Sequence, residues 1–245
     1  MLTLMVAAQI TYPLTVEELS HKLGEFSLGP IDLALASGQC IALVGGNGAG
    51  KSTLLRCIAG LISPRSGTIR LSGLPSSLPL NRRQLAYLPE RFSPPHYLAG
   101  REFLNYYLGL CNKRQEISSD LLRTLLLDEK DLSRPVRKLS KGTAQKLGLA
   151  AVLSTNRPVL IMDEPFSGLD PEARLGLRTA MADYARQGGC LFFSTHLFEG
   201  MDDFVARMVI LHAGQVRFDG SVASCRNNAR KETLEQAFLH LIHQS

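Results

Sequence analysis

No two of the five cysteines lie close in sequence: Cys40, Cys57, Cys111, Cys190 and Cys225 include no C-x-x-C pair. An odd count at wide spacing excludes a disulfide framework and a cysteine zinc site, and reads as reduced thiols. No run of five lysines or arginines occurs, and the formal net charge is only +5. On charge alone nucleic acid or an anionic membrane surface stays open, though no nucleic-acid partner is expected without a basic run, and a modest cationic surplus suits phosphate-bearing ligands equally well. Two uncharged stretches, residues 1–16 and 33–50, are long. The first is broken by Thr3, Gln9, Thr11 and Pro13, the second by Ser37, Gly38 and Gln39. Neither supplies the roughly 18 predominantly apolar residues that a membrane span needs. The first also lacks the basic leader of a signal peptide, and reads as an edge strand or a ragged start. The chain is therefore expected to be soluble, with membrane work left to a partner chain. Internal repeats and low-complexity segments are missing too.

What is present fits a folded domain. The 245 residues are 45% apolar and 20% charged, ordinary globular values that exclude disordered, collagen-like and coiled-coil chains. The run Ile41-Ala42-Leu43-Val44 ends in a glycine cluster at 45–50, which predicts a buried parallel strand feeding a loop. Apolar residues at 54, 55, 58, 59 and 62 predict a helix, stopped by Pro64 and Gly67. Residues 68–73 and 85–88 read as strands. Leucines and aromatics from Leu98 to Leu126 recur at helical spacing, so residues 91–150 read as an inserted helical sub-domain. Residues 158–165 predict a second buried strand. Asp170-Pro171 predicts a helix start, with Asp as N-cap, and Gly188-Gly189 its end. Residues 190–195 predict a third strand, 205–211 and 215–218 a hairpin around Ala213-Gly214, and 231–243 an amphipathic tail helix. Strands alternating with helices give an α/β fold with a parallel sheet.

Chemistry concentrates in a few places. Gly45-Gly46-Asn47-Gly48-Ala49-Gly50-Lys51-Ser52-Thr53 matches G-x-x-x-x-G-K-[ST], between a predicted strand and a predicted helix, which is the context this motif requires. Glycines let successive backbone N–H groups point inward at phosphate oxygens, and the helix N-terminus adds its positive dipole end. Lys51 reaches the terminal phosphates as a point charge, and the Ser52 hydroxyl is placed for Mg²⁺. Asp163 ends a buried apolar strand, where a carboxylate is costly without a cation. Mg²⁺, held through water, is its expected partner. Glu164 follows, placed to polarise a water in line with the γ-phosphate as general base. Four more signals accompany these: Leu139-Ser140-Lys141-Gly142-Thr143 opening an amphipathic helix that includes Leu147 and Leu153, Ser167-Gly168-Leu169-Asp170, His196 closing a strand, and Glu90 after Tyr87-Leu88-Pro89.

In this order and spacing the chain resembles the nucleotide-binding subunit of ATP-binding-cassette (ABC) transporters, from about residue 14 to 241. Residues 45–53 resemble the Walker A loop, 159–164 the Walker B strand, 139–143 the signature motif, 167–170 the D-loop, and His196 the switch histidine. The resemblance implies a single domain over residues 1–245. A RecA-like P-loop NTPase core with an antiparallel β edge would occupy 1–90 and 151–225, the helical sub-domain 91–150, and a C-terminal helix 226–245. It also implies ATP and Mg²⁺ as cofactors, ATPase activity, and head-to-tail pairing with a second copy or a homologous ATPase subunit. Ser140, Gly142 and Asp170 would then meet the ATP held on the opposite subunit. Separate transmembrane permease subunits would be the partners, placing the chain in the cytoplasm, peripheral on the cytoplasmic membrane face.

The departures carry information. Glu90 stands where the family usually has Gln, and is expected at Mg²⁺ and the catalytic water. Lys141 and Thr143 replace Gly and Gln of the usual signature. Leu23 takes the place of the aromatic that stacks on adenine, with Phe26 nearby. Tyr87-Leu88-Pro89-Glu90, Leu139-Ser140-Lys141-Gly142 and the tail from Leu234 to Leu241 resemble the subgroup serving ABC-2-type exporters. An importer ATPase, or an ATP-binding clamp with little hydrolysis, is the alternative. Residues 91–110, with Pro94-Pro95 as a stiff exposed platform and aromatics at Phe92 and Tyr97, are where a membrane partner is expected to dock.

Overall fold

A computed structural model of the chain describes residues 11–111 and 117–243. Strands β1 (Leu14–Leu23) and β2 (Phe26–Leu35) form a hairpin, and β3 (Cys40–Val44) runs through the glycine loop into α1 (Lys51–Ile58). Strands β4 (Ser66–Leu71), β5 (Leu74–Pro75) and β6 (Leu85–Leu88) follow. Four helices come next: α2 (Gly100–Leu110), α3 (Ser119–Thr124), α4 (Glu129–Ser133) and α5 (Lys141–Leu153). Then β7 (Val159–Met162), α6 (Pro171–Arg186) and β8 (Cys190–Thr195) alternate, before the hairpin β9 (Arg207–His212) and β10 (Gln215–Gly220). Helices α7 (Val222–Ala229) and α8 (Leu234–His243) close the described chain. Of the uncharged stretch at 1–16, the first ten residues lie outside the described ones. No helix among the described residues is long and apolar enough to cross a membrane.

One sheet has the order β10-β9-β3-β8-β7-β6, and the other β2-β1-β4-β5. In the first, β3, β6, β7, β8 and β9 run parallel and β10 turns back on β9. The second is antiparallel throughout. Side-chain alternation along the parallel strands splits the core in two. Ile41, Leu43, Ile161, Phe192 and Val209 face α1 and the antiparallel sheet. Ala42, Val44, Leu160, Phe193 and Ile210 face α5, α6 and the last two helices. Burial on both faces is why these strands read as unbroken apolar runs. All five cysteines are free, and burial pushes the Cys40 and Cys190 thiols up to about 12, which keeps them inert near neutral pH.

Several expectations shift. The strand placed at 68–73 spans Ser66–Leu71, because Ser72 and Gly73 take left-handed backbone angles, φ 48° and 80°, and make a turn. The helix opened at the signature is not amphipathic: Gln145 and Leu147 to Leu153 are all buried, since α5 packs against α2, α6 and β6. The Pro94-Pro95 platform is not wholly exposed either. Pro94 is buried, and Phe92 turns inward onto Phe103, at a ring-centroid distance of 5.6 Å, and against Gly148. Tyr97 remains at the surface, 81% exposed.

Candidate active site

Four chemical groups sit just past the C-terminal ends of neighbouring parallel strands. The glycine loop leaves β3, Asp163 and Glu164 leave β7, His196 leaves β8, and Glu90 follows β6. In open α/β sheets this edge is where ligands bind. A cavity of about 580 Å³ opens there, walled by residues 46–53 together with Glu90, Glu164, Ser167 and His196. The loop keeps its shape only with glycine. Gly48 and Gly50 have φ of 76° and 105°, angles that L side chains rarely adopt. Gly45 lies behind the wall, where a Cβ would stand 2.4 Å from the Leu211 carbonyl oxygen. Because α1 begins at Lys51, its unpaired first-turn N–H groups are in the region that should receive an anion.

Three polar side chains, Lys51, Glu164 and His196, form a chain across this cavity. Lys51 is 7% exposed, and its Nζ donates to the Gly45 carbonyl at 2.7 Å and the Gly46 carbonyl at 3.3 Å. It also lies 3.7 Å from Glu164 Oε1. The other Glu164 oxygen is 2.9 Å from His196 Nδ1. A carboxylate held between a cation and an imidazole, facing a phosphate-sized space, can orient and deprotonate a water. Glu164 itself sits at φ 48°, the left-handed region, where a non-glycine residue persists only if its surroundings hold it there.

Asp163 lies one layer deeper, 1% exposed. Its Oδ1 accepts from Ser194 Oγ at 2.6 Å, while Oδ2 is buried without a hydrogen-bond partner among the described residues. A buried, half-satisfied carboxylate is costly unless a cation completes it. Mg²⁺ takes oxygen ligands, and the Ser52 and Glu90 side chains belong to residues on the adjacent cavity wall. The residues present therefore fit the expected metal.

Ser140, Gly142 and Asp170 do not line this cavity. Ser140 caps α5, its Oγ accepting from Thr143 N–H at 3.0 Å and lying 2.9 Å from Thr143 Oγ1. Asp170 caps α6, accepting from Ala173 N–H at 2.8 Å. A Cβ on Gly142 would come within 2.9 Å of the Gly168 carbonyl oxygen, so the signature and D-loop segments meet, and of the D-loop only Ser167 reaches the cavity wall. Leu23, 65% exposed, and Phe26, whose ring abuts Gly50, also line the cavity. Sequence reasoning passed over Ser194. The available signal was a hydroxyl inside the apolar run Leu191-Phe192-Phe193-Ser194, since buried polar groups need partners.

Comparison with known proteins agrees with this geometry. A family model described as "ABC transporter" matches residues 28–167. A Synechocystis protein described as an ABC transporter ATP-binding protein is 31% identical over 82% of this chain and 58% of its own length. The cytochrome c biogenesis ATP-binding export protein CcmA of Bradyrhizobium diazoefficiens is 34% identical over 70% of this chain and 85% of its own. The solved structure of an ATP-binding subunit of an ABC transporter superposes with a TM-score of 0.85 at 32% identity, covering 93% of this chain and 98% of that one. Against several curated relatives the chain spans about three fifths of their length, 58%, 60% and 62%. With the family model matching more than half of the chain and CcmA alike over most of both lengths, the chain belongs to the ABC transporter family.

Proposed function

We propose that this chain binds and hydrolyses ATP and uses the cycle to power an ABC transporter, on the export side. The observation that carries the reading is the chain Lys51–Glu164–His196 on the phosphate wall, with Asp163 Oδ2 left open behind it. Residues 45–53 hold the phosphates, and Lys51 neutralises the terminal ones. Ser52, Asp163 and Glu90 would hold Mg²⁺, which would supply positive charge to neutralise developing phosphate charge. Glu164 takes the proton of the attacking water, and His196 fixes its orientation. Ser140, Gly142 and Asp170 lie off the cavity, which supports a site completed by a second copy or a homologous subunit packed head to tail. Export is favoured by the likeness to CcmA, an export protein. The reading places the chain on the cytoplasmic face of the membrane against separate permease subunits. Phosphate release from Mg²⁺-ATP by the purified chain, with nucleotide-driven dimerisation followed by light scattering, tests it. Neither activity appearing, alone or with co-purified membrane subunits, would sink it.

Glu90 should couple this site to the partner. It is exposed on the cavity wall, and a carboxylate near Asp163 and the phosphates must bind metal, take up a proton or swing away. Binding metal in the closed dimer and swinging out otherwise makes it a reporter of partner contact. Glu90→Gln is expected to keep ATPase activity within roughly tenfold of wild type, about 1.4 kcal/mol. Glu90→Ala is expected to bind ATP but lose partner-stimulated turnover. ATPase rates with and without the membrane subunit decide the matter, and full stimulation of the alanine variant would make Glu90 a bystander.

The permease is proposed to dock near residues 91–110. With Phe92 and Pro94 turned inward, Tyr97 and Tyr106, 81% and 54% exposed, are left to meet it. Buried at the centre of an interface, a tyrosine contributes about 2 kcal/mol or more. Tyr97→Glu should therefore cut complex yield and stimulated turnover about thirtyfold while leaving ATP affinity unchanged. Unchanged assembly and stimulation would move the docking site elsewhere.

A further inference from the structure

We propose that Ser194 is a positioning residue for the hydrolytic site, setting both acidic side chains through one hydroxyl. Ser194 is fully buried, at 0% exposure, on β8 two residues before His196. Its Oγ donates to Asp163 Oδ1 at 2.6 Å and accepts from the Glu164 N–H at 2.8 Å. Each bond has a separate consequence.

The first decides which oxygen of Asp163 is free. With Oδ1 engaged by Ser194, the carboxylate is held in one rotamer and Oδ2 is the oxygen left without a partner. Oδ2 is then the oxygen that would be left for a metal ion. Without the Ser194 hydroxyl the carboxylate can rotate about its Cβ–Cγ bond, a broad torsion with little intrinsic preference.

The second bond holds the backbone at Glu164. That residue has φ 48°, a conformation that costs a non-glycine residue free energy unless over-determined. A backbone N–H beneath the strand end needs an acceptor, and Ser194 Oγ is that acceptor. The left-handed turn is what aims the Glu164 side chain across the cavity toward Lys51 and His196. Ser194 is not among the residues lining the cavity; it acts through Asp163 and Glu164. It also ties β8, which ends at Thr195 just before His196, to the loop leaving β7, so the switch histidine and the base are fixed to each other by more than their direct contact.

The inference rests on the ATPase reading, and its test separates the two. Ser194→Ala removes the hydroxyl. Ser194→Cys keeps nearly the same volume with only a weak sulfur donor and acceptor. Both are to be measured for ATP affinity by calorimetry in EDTA and in Mg²⁺, for kcat and KM, and for melting temperature. In EDTA both variants are expected to bind like wild type, because the P-loop is untouched. The gain in affinity on adding Mg²⁺ should shrink by about tenfold, and kcat should fall about tenfold to a hundredfold with KM nearly unchanged, the range for hydrogen bonds to charged groups. A purely structural serine would lower the melting temperature and leave the Mg²⁺ gain and kcat of the folded protein alone, and that result overturns the proposal. So does a cysteine variant at wild-type level beside an impaired alanine variant, which would make volume the cause. If wild-type protein showed no turnover, the ATPase reading would fail, while the Mg²⁺-dependent affinity would still decide the role of Ser194 toward Asp163.

Discussion

Glu164→Gln is expected to bind ATP firmly and to stop turnover. The amide has the shape of the carboxylate and still reaches His196 Nδ1, now 2.9 Å from Oε2. It has no basic oxygen to take the proton from water. General-base contributions run to about 10²–10⁴-fold, so phosphate release should fall by that factor with ATP affinity at or above the wild-type value. Affinity can rise, because Glu164 places a negative charge beside the space meant for phosphates, and Lys51, 3.7 Å away, is partly spent on compensating it. Removing that charge frees the lysine for the nucleotide. A dimer trapped with ATP should then appear on gel filtration. Normal turnover by this variant would remove Glu164 from the role of base.

How much of this was legible in the sequence depended on how each segment meets its surroundings. Strands β3, β7 and β8 are buried on both faces, so composition alone marks them, and the glycine loop and acidic strand end are tied to them by chain order. The α6 start was equally plain, because Asp170 accepts locally from Ala173 N–H and needs no distant partner. The antiparallel edge was expected from the resemblance, but the residues of the β1–β2 hairpin do not mark its strands by themselves. Its pairing slips register between Val16 and Leu19 and again before His21, and Glu18 takes φ 49°. Irregularities of this kind break the two-residue period on which a strand is recognised. Helix α7 was missed because its eight residues carry only three buried positions. In α5 the pattern misled: a helix surrounded by protein is apolar nearly all round, which a one-faced reading cannot express. Phe92 turned inward because a glycine, Gly148, leaves room for its ring on α5, a pairing across more than fifty positions that no local pattern contains. Ser194 shows the same limit within the site. A serine in an apolar strand announces that some partner exists, and only the fold says that the partners are Asp163 and the Glu164 backbone.

Lys51→Ala is expected to abolish ATP binding at ordinary concentrations. The ammonium group donates to the Gly45 and Gly46 carbonyls and faces Glu164 from within the cavity wall. Those carbonyls belong to the loop that is to wrap the phosphates, so the lysine rests where its ligand will arrive and need only exchange partners. Contacts to the terminal phosphates are charge-assisted, about 1.5–3 kcal/mol each. Losing two of them weakens binding at least a hundredfold at 1.4 kcal/mol per decade. A second effect adds to the first. Without the lysine, the Glu164 carboxylate faces the cavity beside His196 and repels the incoming phosphates. The double variant Lys51→Ala with Glu164→Gln should therefore bind ATP more tightly than Lys51→Ala alone, though well below wild type. Calorimetry in Mg²⁺ measures all four affinities, and a melting curve for each variant separates weak binding from a damaged fold. Near wild-type affinity of a folded Lys51→Ala protein would remove residues 45–53 from the role of phosphate cradle. Equal affinities for the single and double variants would show that Glu164 exerts no field on the bound phosphates, and the expected gain in affinity on Glu164→Gln would fall with it.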